Sequence, residues 1–148
     1  MKDIMICKYM EKYSETLTGS NGIKIIQTLS ENGEIIIENK SYPIEFGNLY
    51  FIDCSRKHSV MPAQKDHYIQ NTVVISREFL NKLAELLNFT KEAEDIFKNG
   101  YFLPVKHYKI IDDHFKKMSF VYNSEKTFSK ALFTAKFLEL LNYAVSSL

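Results

Sequence analysis

The chain contains no tryptophan and only two cysteines, three prolines and five glycines in 148 residues. Cys7 and Cys54 lie too far apart for a paired zinc motif and are too few for a disulfide framework. Both are read as thiols, which suits a cytoplasmic protein. The five glycines form no phosphate-cradling loop. No apolar run approaches the roughly 20 residues needed to cross a bilayer. The opening MKDIMICKYMEKY carries Asp3 and Glu11 and lacks the apolar stretch of a secretory signal. An excess of one charge is also missing: the formal net charge is +1. The densest basic runs, Arg56-Lys57-His58 and Lys116-Lys117, are too short to track phosphates, which argues against direct DNA binding.

What is present is the composition of a folded domain, 45% hydrophobic and 25% charged, which argues against disorder. Its length suits about one domain with a real core. Eleven phenylalanines and nine tyrosines are available for that core, for a pocket or for an interface.

The sequence changes character near Ser76. Residues 23 to 75 read as short strands and turns. Ile23 to Leu29 is a β-branched run, and Asn32-Gly33 is a turn pair because both residues tolerate positive φ. Ile35 to Ile37 form the next strand, Asn39-Lys40 fits a two-residue hairpin loop, and Ser41 to Ile44 return. Pro43 cannot donate to a ladder and belongs at an edge. Leu49 to Ile52 and His67 to Ile75 complete the strands, with a polar loop after Asp53. The first 22 residues stay open between strand and short helix, with Ile4, Ile6 and Tyr9 on either. Such close spacing is antiparallel, and a small barrel or sandwich would remove exposed edges.

Residues 76 to 148 read as helices. Ser76 caps a segment with Phe79, Leu80, Leu83, Leu86 and Leu87 on one broad face. Thr90 opens a second helix that Gly100 ends, Ile111 to Val121 suit a third, and Ser124 opens the longest. The reading is a barrel over 1–75 and a helical region over 76–148, sharing one core.

The stretch Gly33 to His58, GEIIIENKSYPIEFGNLYFIDCSRKH, resembles the amino-terminal cupin domain of AraC/XylS-type transcription regulators. The resemblance rests on Gly33, the hairpin ENKSYPI, Gly47 before LYFI, and His58 at the spacing of the second cupin motif. Asp53 and Ser55 depart from the proline and glycine of that motif's turn. The resemblance covers roughly residues 20 to 148. It implies a cupin-like jelly-roll β-barrel followed by a packed helical hairpin, a small effector such as a sugar held in the barrel, and a homodimer. DNA would be bound only through a carboxy-terminal helix-turn-helix domain that the chain does not contain. The abrupt ending Ser146-Ser147-Leu148 agrees with a domain excised from a longer protein.

The ligand pocket expected from strand parity is lined by Ile25, Gln27, Tyr50, Ile52, His58 and Tyr68. His58 admits two roles, an effector contact or a strand-end hydrogen bond to a loop carbonyl. A metal is not expected, because GIKIIQTLSENG, where the first cupin motif would fall, contains no histidine. No cofactor is implied. Asp112-Asp113-His114 point in different directions on a helix and read as a polar face. Ser55 lacks a nucleophile elbow, and Cys54 reads as a structural thiol. The expected protein is therefore not an enzyme. A stand-alone cupin enzyme on a sugar or small metabolite and a ligand-free interaction barrel are the alternatives. The dimer is expected on the last helix, through Leu132, Phe133, Phe137, Leu138 and Leu141, because its apolar residues cover nearly two faces.

Overall fold

The structure, a computed structural model, describes residues 5–12, 22–99 and 102–147. Ile4 and Gly100 lie outside the described residues. The β-branched run forms the centre. β2 (Gly22–Thr28) is buried along its whole length, because its alternate residues face two different apolar layers. β1 (Met5–Lys12) is a strand, so of the residues left open between strand and short helix, Ile6 and Tyr9 lie on a strand. β3 (Gly33–Ile37) and β4 (Lys40–Pro43) form a hairpin, followed by β5 (Leu49–Asp53), β6 (His58–Pro62) and β7 (Ile69–Ser76). A short β8 (Phe102–Leu103) lies among the helices in sequence, which are α1 (Arg77–Leu87), α2 (Thr90–Asn99), α3 (Tyr108–Ser124) and α4 (Ser129–Ser147).

The strands make two separate sheets: five strands in the order β1-β7-β2-β5-β8 and three in the order β4-β3-β6. Both sheets are open, and among the described residues no ladder joins one to the other. The expected cupin-like jelly-roll barrel is therefore not formed, and the fold is a mixed α and β arrangement of two sheets and a helical layer. The sequence pattern accounts for this. In the central strands neighbouring residues are both apolar, as in Ile25-Ile26 and Tyr50-Phe51-Ile52. The five-stranded sheet thus has two apolar faces, one needing a sheet and the other needing helices.

On one face, Ile26, Tyr50 and Ile52 pack with Ile35, Ile37 and Val60 of the smaller sheet, and Tyr68 fills the same layer. On the other, Ile23, Ile25, Leu49, Phe51, Val73 and Ile75 pack against Ile96, Phe97, Phe115, Phe133 and Phe137 from the helices. Tyr50 and Tyr68 have 0% and 1% exposure, so large side chains fill the space between the sheets.

Candidate ligand-binding site

The turn after β2 meets the segment between β6 and β7 at one end of the sheet pair. Asn32 and Gly33 have φ of 69° and 123°, the conformations the Asn-Gly pair tolerates. The Ser30 hydroxyl ties the two segments, accepting from the Ile69 N–H at 3.0 Å and donating to the His67 carbonyl at 3.2 Å. The Ala63 N–H donates to the Asn32 carbonyl at 3.2 Å. Between these ties lies a pocket of about 280 Å³ lined by Ser30, Glu31, Asn32, Pro62, Ala63, Gln64, His67 and Tyr68. Tyr68 is its buried wall, and its hydroxyl donates to Gln70 Oε1 at 2.6 Å. Glu31, Asn32, Gln64 and His67 are exposed, and among the described residues their side chains make no hydrogen bond or ion pair.

Strand register divides the six residues expected to line one pocket. Ile25 lies opposite Phe51 and Val73 and faces the helices with Gln27. Tyr50, Ile52 and Tyr68 face the smaller sheet. Only Tyr68 belongs to the end pocket. Gln27 has 0% exposure and joins a polar network beneath α3. Its Nε2 donates to the carbonyls of Tyr108 at 3.0 Å and Gly47 at 3.2 Å, and its Oε1 accepts from Asn71 Nδ2 at 3.0 Å. Asn71 Nδ2 also donates to Asp112 Oδ1 at 2.9 Å, while Asn71 Oδ1 accepts the Met10 N–H at 2.9 Å. Met10 sits at an irregularity in the β1–β7 ladder, so Asn71 satisfies a donor the ladder leaves out.

His58 begins β6 and is buried, with Nδ1 2.9 Å from the Arg56 carbonyl. Nε2 lies 3.4 Å from Nζ of Lys24 on β2. A carbonyl only accepts, so Nδ1 carries the hydrogen and Nε2 accepts from the amine. Burial lowers the pKa of both groups, partly opposed at His58 by the Arg56 hydrogen bond and at Lys24 by nearby Cys54. Sequence reasoning missed Lys24; the available signal was a lone cation inside the run GIKIIQT.

Asp112, Asp113 and His114 diverge. Asp112 accepts from Tyr9 and Asn71, Asp113 pairs with Lys117 at 2.8 Å, and His114 lies 3.6 Å from Glu139. Among the described residues, no three His, Cys, Asp or Glu side chains come together as metal donors. On α4, Phe133, Phe137 and Leu141 are buried within the chain's own core, Leu138 packs beside them, and Leu132 is 54% exposed.

No protein-family model and no curated protein matches the chain. Together with the two open sheets, this overturns the resemblance to AraC-type cupin domains and the regulator function drawn from it. The spacing from Gly47 to His58 is real, but here it joins strands of different sheets without a barrel around them.

Proposed function

We propose that this chain is a binding domain that holds a small polar molecule in the end pocket and does not transform it. The observation that carries this reading is the preformed pocket whose walls are fixed by backbone and Ser30 hydrogen bonds, while Glu31, Asn32, Gln64 and His67 have no described partner. At about 280 Å³ it suits a molecule smaller than most drug-sized ligands. Of its titratable lining groups, Glu31 and His67 are exposed to water and Tyr68 is buried with its hydroxyl committed to Gln70, which favours recognition over proton transfer. The reading includes a reducing, cytoplasmic setting, supported by the buried thiols of Cys7 and Cys54. The test is an amide NMR screen of the full chain with polyols, amino acids and small organic acids. A binder should shift Ser30–Asn32 and Ala63–Tyr68, and Ala63→Trp should abolish the shift by filling the pocket. If no compound perturbs these amides, or Ala63→Trp leaves binding intact, the reading fails.

We also propose that two copies associate through the outer side of the α3–α4 hairpin. Phe120, Phe128 and Leu132 are 76%, 72% and 54% exposed there, large apolar groups that a second copy would cover. Sedimentation velocity over a concentration series should show a dimer that Phe128→Asp and Leu132→Asp together dissociate without loss of helical signal. A strict monomer at high micromolar protein would reject the association.

A further inference from the structure

We infer that Lys24 and His58 form the head of a second site, which takes a small organic monocarboxylate with a short apolar tail. It lies at the opposite end of the sheet pair from the Ser30–Tyr68 pocket. Four residues of β2 separate Lys24 from Thr28, about 13 Å of strand. The two sites therefore stand or fall separately.

The first support is a buried amine that no carboxylate among the described residues meets. Lys24 has 8% exposure, and among the described residues its amine has one hydrogen-bond partner, His58 Nε2 at 3.4 Å. Among the described residues no carboxylate forms an ion pair with Lys24. Among the described residues, the other titratable groups that bear on it are Lys8 from β1, Cys54 from the turn after β5 and His58 from β6, and none is a carboxylate. The nearby carboxylates are engaged elsewhere: Asp53 with Arg77, Glu38 with Arg56, and Glu11 with Lys8. A buried cation normally has an anionic partner, and here a ligand's carboxylate would supply it.

The second support is the route to it. Directly opposed residues on neighbouring strands share a face, so Ile6, Val74, Lys24 and Ile52 form one row across β1, β7, β2 and β5. The row faces the three-stranded sheet, which has fewer strands than the five it packs against. Ile52 is fully buried, Val74 is half-buried and Ile6 is 43% exposed. The row thus runs from an open apolar edge to a buried amine. A carboxylate head would reach Lys24 while its hydrocarbon tail lay along Val74 and Ile6.

Binding would also move protons. In the free protein burial favours the neutral amine and the neutral imidazole. A carboxylate favours their charged forms, so the bound site holds its protons more tightly than the free one and its affinity falls as pH rises through the range where they titrate.

The experiment is isothermal titration of the full chain with butyrate and with its neutral isostere butyramide. Butyrate should bind saturably and butyramide should not. Repeating the titration in buffers of different ionisation enthalpy, at a pH where these groups titrate, should reveal net proton uptake. Lys24→Met, which keeps the stem and removes the charge, should weaken butyrate at least about tenfold. Absence of butyrate binding, or equal binding of butyramide, would each overturn the site. These readouts use the unmodified protein and hold even if Lys24→Met does not fold. Butyrate binding that survives in a folded Lys24→Met protein would overturn it as well.

Discussion

Asn71 has 0% exposure, yet each of its polar atoms is used: Nδ2 serves Gln27 and Asp112, and Oδ1 serves the Met10 N–H. Asn71→Ala would strand a buried amide oxygen, a backbone donor and a carboxylate oxygen at once. The expected loss is about 2–3 kcal/mol in urea unfolding, the upper part of the range for unsatisfied buried groups. Tyr9→Phe removes one hydrogen bond to Asp112 from a partly buried rim and should cost no more than about 1 kcal/mol. Equal losses for the two would contradict the weight given to Asn71. At this scale parity was legible and register was not. Alternation groups Tyr50 with Ile52 and Ile25 with Gln27, as the structure has them. Which group shares a face with which depends on pairing Ile25 with Phe51, and a period of two residues is silent on that offset. Lys24 and Asn71 escaped notice for a related reason: a polar residue in a strand signals a solvent face until the opposite sheet or helix is known.

Elements were legible where a residue type forces a conformation. Asn32-Gly33 turns with positive φ, Pro43 lies on the edge strand β4, and the Ser76 hydroxyl accepts the Phe79 N–H at 3.1 Å to cap α1. Where no such residue stands, the boundaries move. Ile37 pairs with Lys40, so the hairpin loop is Glu38-Asn39, one residue earlier than expected, with Glu38 at φ 55°. Ser124 closes α3 instead of opening the last helix; its hydroxyl donates to the Val121 carbonyl at 2.8 Å. β6 was missed because His58, Ser59 and Pro62 do not read as a strand, and β8 has only two residues. Leu86, expected on the buried face of α1, is 76% exposed. Gly33 gives the sharpest test of a turn. Its φ is 123°, and a Cβ there would fall 2.5 Å from the Met61 carbonyl oxygen on β6. Gly33→Ala therefore meets both a strained backbone and a backbone clash. It should destabilise by more than the about 1 kcal/mol typical of substitutions. Urea midpoints should show Gly47→Ala to be costly as well, because its φ is 86° and the added carbon meets Tyr108 Cβ, the rooted end of that side chain. If Gly33→Ala is neutral, the close approach of β3 and β6 is wrong.

The whole molecule could not be assembled from local pattern, because closure is a relation between strands far apart in sequence. Short strands and tight turns fit a barrel as well as two open sheets. What separates them is the fate of the second apolar face of β2, β5 and β7. Here that face is covered by helices from residues 77 to 147, so strands and helices share one core rather than dividing it. The physical consequence is a single cooperative transition. Phe51 of β5 and Phe97 of α2 pack edge to face at 5.8 Å between centroids, and Cys7 of β1 lies against the Phe115 carbonyl of α3. Neither half can open without exposing the other's apolar surface. Urea unfolding followed by helical circular dichroism and by tyrosine fluorescence should therefore give coincident curves. Phe137→Ala, emptying a site with 2% exposure between helices and sheet, should shift both curves together by about 3–5 kcal/mol. A fragment ending at Ser76 should not fold, since Ile23, Ile25, Phe51, Val73 and Ile75 would lose their cover. Burial also pushes the Cys7 thiol up to about 12, so it should react with a thiol reagent only as fast as the molecule unfolds globally. Two separated transitions, or a folded strand fragment, would show that the helices are an attachment and not half of the core.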